Sequence, residues 1–295
     1  MLLVPMRADA QGDGPRAYFP TPVDMNVLTG YGLFLDGNRS LDPGVIFAEG
    51  DVDVHIGLLQ YTRSLAVAGN AAGLFAIVPA GEVTGTLKGP AASVSSSSSG
   101  FGDILLGGAF TLYGMPAMPQ EEYRAFNPDF AAGMLLKIGV PTGEYTSTQP
   151  INLGSNRWSL QAGLPLFYYF GESLLDEKLT TIEVLPSVTF FTNNNDPFGG
   201  DKLKQDPLVQ IEAHITQNIN RALWLSIDGI WTYGGETSMD GQKAGNTQQS
   251  IALGGSIGVN LNPAVSLKAS YGKIVYRNDD GADGEMVRIA ATLLF

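Results

Sequence analysis

Two short spacings in this chain set a carboxylate beside an imidazole: Asp53 with His55, and Glu212 with His214. Residues two apart in an extended strand share a face, so each pair is placed for proton transfer or for one edge of a metal site. The chain has 2 histidines and no cysteine. That is too few ligands for a structural ion, and neither a metal site nor a cofactor is assigned. Hydrolysis would also need a nucleophile within reach of an imidazole. Serines are plentiful, yet no Gly-x-Ser-x-Gly elbow occurs, and no catalytic residue is assigned. Gly12 and Gly14 look faintly like a phosphate loop, but no strand precedes them and the motif carries nothing.

A wider set shares the polar side of alternating stretches: Asp53, His55, Asp103, Lys137, Arg157, Glu183, Glu212, His214, Asp228, Lys268 and Arg288. If the opposite, apolar side meets lipid, these residues line a lumen. They then either orient a permeating solute or pair with one another and stiffen the interior. Charges of both signs argue against a filter for one kind of ion.

The elements that must carry this lining are strands. Val52, Val54, Ile56 and Leu58 alternate with Asp53, His55 and Gly57, and Val209, Ile211, Ala213 and Ile215 alternate with Gln210, Glu212, His214 and Thr216. Period-two alternation is the signature of a strand with one oily and one polar face. About twelve such stretches follow from the first near Val27 to the last, which closes on Val287, Ile289, Ala291, Leu293 and Phe295. A soluble sandwich would alternate too. The connections separate the cases: short ones at 217–221 and 260–263 are interleaved with long ones at 79–100, 141–156, 192–206 and 234–247. An outer-membrane barrel has short periplasmic turns and long outer loops in strict succession. Residues 114–128 break the succession and carry a helical turn near Glu121 to Phe126. The serine run Ser95 to Ser99 falls in a long connection and reads as a flexible surface segment. Aromatics such as Trp158, Tyr168, Phe190, Tyr233 and Tyr271 stand near strand ends, where interfacial girdles would place them.

Composition bounds the rest. No run approaches the ~18 apolar residues of a membrane helix, so the spanning elements are strands. The net charge of −12 argues against nucleic acid, which needs a basic face. Absence of cysteine excludes a disulfide scaffold and a lipid-modified N-terminal cysteine. Residues 1–10, with Leu2-Leu3-Val4 and Ala8-Asp9-Ala10, read as the remnant of a signal peptide. Residues 11–26 lack strand character and hold Pro15, Pro20 and Pro22. They form either a periplasmic tail or a lumen plug, with Tyr18 and Phe19 as its anchors on the wall. Residues 27–295 form an all-β transmembrane antiparallel barrel with both termini periplasmic.

Several stretches resemble a bacterial outer-membrane family labelled "putative MetA-pathway of phenol degradation". They are Ala17-Tyr18-Phe19-Pro20, Gly100-Phe101-Gly102-Asp103, Pro141-Thr142-Gly143-Glu144-Tyr145, Ile151-Asn152-Leu153-Gly154-Ser155-Asn156-Arg157-Trp158-Ser159, Phe190-Phe191-Thr192-Asn193-Asn194 and Gln205-Asp206-Pro207-Leu208. The resemblance implies a membrane barrel that passively takes up small organic compounds, aromatic ones among them. Phe295 behind alternating apolar residues resembles the signal read by barrel-assembly machinery. The expected partners are outer-membrane lipid and lipopolysaccharide, that machinery during insertion, and a small organic solute. The alternatives are a barrel-borne hydrolase and a structural or interaction protein with an occluded lumen.

Overall fold

The computed structural model describes residues 12–38, 46, 50–88 and 93–295. The expected signal remnant lies outside the described residues. The first half of the chain forms β1 (Asn26–Gly37), β2 (Gly50–Val67), β3 (Asn70–Lys88), β4 (Ser93–Phe101), β5 (Ile104–Tyr113), α1 (Gln120–Ala125) and β6 (Phe130–Val140). Then come β7 (Ser159–Gly163), β8 (Leu166–Phe170), β9 (Thr180–Phe191), β10 (Leu203–Gln205), β11 (Leu208–Asn218) and β12 (Leu223–Gly234). The chain ends with β13 (Thr237–Met239), β14 (Gln242–Lys243), β15 (Gln248–Asn260), β16 (Val265–Arg277) and β17 (Gly284–Leu294).

Each strand of the wall pairs antiparallel with its neighbour, and β17 returns to β1 in unbroken register from Val27↔Leu294 to Gly37↔Gly284. The result is a closed antiparallel barrel of 12 strands. Closure leaves no unpaired edge around the wall. Two staves are interrupted. β4 and β5 are both paired to β3 and form one stave. β7 and β8 form another, broken at Pro165, which has no N–H for the ladder. There Gly133 N donates to Pro165 O and Leu164 N to Pro186 O, so the pairing continues around the break. The small strands β10, β13 and β14 make a separate sheet in the long loops.

The outer surface carries a belt of exposed apolar side chains, including Leu106, Ile138, Ile211, Ile215, Ile227, Leu253, Ile257, Leu267 and Ile289. No helix of the described residues is long and apolar enough to cross a membrane. Short and long connections do alternate elsewhere, but the expected long connection at 79–100 is filled by β3 and β4. β2 and β3 meet through Ala68 and Gly69, both at positive φ, the backbone of a tight hairpin turn. The exceptional connection between β5 and β6 does contain a helix, α1. Tyr123 and Phe126 join the apolar cluster of Phe167, Tyr169, Leu174 and Met118 at the end of the barrel where β1 begins and β17 ends.

Two expectations are corrected. The serine run is not a loop: Ser95 to Ser99 lie in β4, paired with β3 from Thr86 to Glu82. The ladder with β3 satisfies the backbone groups on that edge of β4, and that outweighs the low complexity of the side chains. Asp53 and His55 do not line the lumen. They stand on the exposed side of β2, where His55 Nδ1 lies 3.5 Å from Glu82 Oε1. Val52, Val54 and Ile56 face inward instead, in a cluster with Leu33, Leu35, Val83 and Met286. The cause is the connection between β6 and β7. It folds over this mouth and places Ile151 and Leu153 against those residues. At this level the apolar face leaves water by packing on a loop rather than on lipid. Further along β2 the same face stays inward but becomes polar, with Gln60, Thr62 and Ser64, while the outward face becomes apolar, with Leu59 and Tyr61 exposed.

Candidate functional site

Within the ring of strands lies residues 12–25, touching strands on all sides. The segment is rich in proline and glycine and turns at residues 15–18, where Ala17 N donates to Gly14 O and Phe19 N to Arg16 O; with no ladder of its own, it leaves other backbone donors to bond with the wall. Glu212 on β11 takes two of them, from Asp13 N at 3.0 Å and Gly14 N at 2.5 Å. Glu183 on β9 accepts from Arg16 N at 2.8 Å. From the opposite wall, Lys268 on β16 donates to Pro15 O at 3.0 Å and Arg288 on β17 donates to Gly12 O at 2.7 Å. Lys137 on β6 completes the ring, with Nζ 2.8 Å from Asp13 Oδ1.

The two glycines of the apparent phosphate loop have their explanation here. A Cβ on Gly12 would collide with the Glu212 carboxylate, and one on Gly14, at φ +84, with the Arg288 guanidinium. With Glu212 and Arg288 seated as they are, a side chain at either position would have to displace one of them, and at Gly14 the positive φ adds backbone strain.

Side chains of the segment add to the hold. Arg16 reaches Thr216 Oγ1 and Asn218 Oδ1 and stacks over the Trp224 ring at 4.6 Å from its centroid. Burial draws its guanidinium down to about 10, against the opposing charge of Glu183, and it remains a cation near neutral pH. Tyr18 donates to Asp13 Oδ2 at 2.6 Å, and its ring lies 6.4 Å from that of Phe75. Phe19 packs edge-on against Phe167 and Tyr169. Near its exit the segment is tied by Tyr123 of α1, which donates to Pro20 O, and by Ser64, which donates to Pro22 O.

Behind Glu212 the wall carries a buried polar chain. His214 Nε2 lies 2.8 Å from Glu212 Oε1 and its Nδ1 lies 2.8 Å from Asp228 Oδ1. Ser256 donates to Asp228 Oδ2, and Ser270 shares a bond with Ser256. Both ring nitrogens can donate at once only in the protonated ring.

The remaining predicted residues act at the other mouth. Asp103 accepts from Gly143 N, Ser155 N and Ser155 Oγ, which pins both ends of the β6–β7 connection. Arg157 is buried, with its guanidinium 4.3 Å from the centroid of Phe191. The predicted lining therefore divides in three. Lys137, Glu183, Glu212, Lys268 and Arg288 hold the segment, with His214 and Asp228 behind them. Asp103 and Arg157 hold the loop. Asp53 and His55 lie outside. Sequence reasoning passed over Asp13, Arg16, Gly12 and Gly14. The available signal was two opposite charges and two glycines within five residues of an otherwise apolar, proline-rich stretch.

The segment divides the interior. On its long-loop side is a chamber of about 240 Å³, walled by Tyr31, Phe75 and Phe191 among apolar residues and by Gln60, Gln161 and Gln210. On its other side is a vestibule of about 400 Å³. Ala17, Tyr18, Tyr31, Gln60 and Phe75 border both spaces, so Ala17 and Tyr18 are the part of the segment that stands between them.

The hold should depend on pH. Burial raises the affinity of the Asp13 carboxyl for its proton, but the charge and hydrogen bond of Lys137 and the hydrogen bond of Tyr18 outweigh it. The net effect holds the group below its ordinary value of 3.8. A group depressed on docking contributes fully above its free value and loses that contribution as pH falls through the docked one. Acidification below about pH 3.8 is therefore expected to loosen the segment, read as faster protease cleavage near residue 16. A cleavage rate that is flat down to pH 3 would contradict this, once the intact wall is confirmed by gel mobility.

A family model described as "Putative MetA-pathway of phenol degradation" matches residues 34–282. Among solved structures, an outer membrane channel from Pseudomonas putida F1 is 16% identical over 96% of this chain and 99% of that one, with a TM-score of 0.74. A KdgM porin (8% identity, 91% and 99% covered, TM-score 0.46) and the beta domain of the Bordetella autotransporter BrkA (9% identity, 92% and 100% covered, TM-score 0.48) also match. No curated relative matches. The closed wall and its apolar belt, with the family match and the fold shared with the Pseudomonas channel, make the chain an integral outer-membrane barrel.

Proposed function

The chain belongs to this phenol-degradation family, and we propose on that premise that it is a gated channel for passive entry of small organic compounds, single-ring aromatics included. In this reading the end with both termini faces the periplasm and the long loops face outward, toward lipopolysaccharide. Phe295 is the mark read by barrel-assembly machinery. Residues 12–25 are the gate.

One observation carries the reading: residues 12–25 lie across the lumen between a chamber and a vestibule that share the same few lining residues, Tyr18 of the segment among them. The gate is held by side chains up to Pro22 and by backbone bonds from Val23 to Met118 and from Asp24 to Ser64, and none of these ties is a pairing between strands of the wall. The chamber is of the right size, since an apolar cavity of about 150 Å³ takes benzene and this one is about 240 Å³. Aromatic walls with a few amides suit a ring bearing one polar substituent. Diffusion through such a path uses no nucleotide and no cofactor.

The hydrolase alternative would need a serine hydroxyl on an imidazole nitrogen. His214 has a carboxylate on each nitrogen, and His55 faces Glu82. The occluded-lumen alternative does draw support from the seated segment, and transport separates it from the gated channel. Expressed in a porin-deficient outer membrane, the chain is expected to speed entry of labelled single-ring compounds over an empty-vector control while excluding a trisaccharide. Rates equal to the control overturn the channel and leave the occluded barrel.

A further inference from the structure

The charges around the chamber are unequally satisfied. Asp13 is engaged by Lys137 and Tyr18. Glu212 accepts two backbone N–H groups and faces His214. Asp103 accepts three bonds from the β6–β7 connection. Lys137, the other cation lining the chamber, is spent on Asp13. Arg288 differs. It lines the chamber and is 8% exposed, yet it has no carboxylate within ion-pair distance among the described residues. One of its nitrogens serves the carbonyl of Gly12, and its Nε has no hydrogen-bond partner.

A guanidinium buried this far is costly without an anion and is shaped for a forked bond to a carboxylate. The neighbouring surface is apolar and aromatic: Leu33, Leu58, Tyr31, Phe75 and Met286 border the same space. From this juxtaposition we infer that the chamber is a binding site for a small monocarboxylate with a compact apolar body. The carboxylate seats on Arg288 and the body packs on Tyr31 and Phe75. The inference rests on the channel reading and sharpens it, because it makes Arg288 the residue that tells an organic acid from its neutral isostere. The anion also competes for the cation that holds Gly12, so an arriving solute weakens one tie of the gate.

The test uses full-length protein in micelles and two probes of one shape, benzoate and benzamide, with binding measured by calorimetry near neutral pH. A hydrogen bond to a charged group contributes enough that benzoate is expected to bind about tenfold or more tighter than benzamide. Arg288→Gln is expected to erase that preference and leave benzamide binding in place, while Arg288→Lys retains part of it. Equal affinities in the unaltered protein, or a preference unchanged in Arg288→Gln, overturn the inference. Heat-dependent gel mobility checks that each variant has folded. Binding in micelles does not require transport. Equal affinities in the unaltered protein with entry intact therefore count against the inference alone, and absence of entry with the preference intact counts against the channel alone.

Discussion

Removing residues 12–24 is expected to turn a barrel that is nearly closed in planar bilayers into a steady, severalfold more conductive pore. The wall should survive the deletion, because β17 and β1 close the barrel through their own ladder and the segment contributes no strand. What is lost is the partition. A barrel of about eight strands is filled by its own side chains, whereas one of 16–18 leaves an aqueous channel. A 12-strand wall falls between, so its interior is filled only with help. Here the help comes from the segment and from the β6–β7 connection. Gly14→Val makes the same point in the full-length chain. It forces a branched side chain into φ +84 and against Arg288, a conformation that β-branched residues avoid. Its open fraction should approach that of the deletion. Equal conductance in the intact, deleted and Gly14→Val proteins would mean that the segment is not the barrier.

Glu212→Ala should be the most damaging single change in the interior. The carboxylate is where the gate meets the wall: it accepts from Asp13 N and Gly14 N on one side and faces His214 on the other. Removing one member of a buried charge pair costs about 3–5 kcal/mol, because the partner stays buried without compensation. Two segment N–H groups lose their acceptor as well. The change should therefore lower resistance to unfolding in micelles and release the segment at once. Trp224 reports the second event through the Arg16 guanidinium stacked on it, so its emission should shift before the wall unfolds. Adding His214→Leu removes the stranded partner and should recover part of the wall's stability without reseating the segment. Destabilisation below about 1 kcal/mol, the range of an exposed pair, would show that Glu212 is wet and that its bonds to the gate are dispensable.

Much of the wall was legible from periodicity. Glu183, Glu212, Asp228, Lys268 and Arg288 all turn inward as their strands' alternation requires, because a strand offers only two faces and lipid claims the apolar one. The same rule misplaced Asp53 and His55. β2 changes phase between Leu58 and Leu59, where two apolar residues stand side by side. Above that point the apolar side packs on Ile151 and Leu153; below it the apolar side is exposed on the belt. The doublet was visible in the sequence, but its meaning depended on a loop more than eighty residues away.

The site itself was half legible. Charges of both signs were expected in the lumen, and a tail or a plug was expected before β1. Nothing local chose between those two, because a short proline-rich segment whose N–H groups belong to no ladder is equally content in water.

By itself the sequence determined that this chain is a ring of amphipathic strands with unequal ends, since strand period, turn residues and loop length are local properties. Only the tertiary structure decided what the interior charges are for. The bonds from Glu212, Lys137, Lys268 and Arg288 to residues 12–15 join positions more than a hundred residues apart, and such pairings exist only after closure brings opposite walls around one segment. Closure also strips the water from those groups, and it is this loss of solvent that makes Glu212 an anchor and leaves Arg288 in want of an anion.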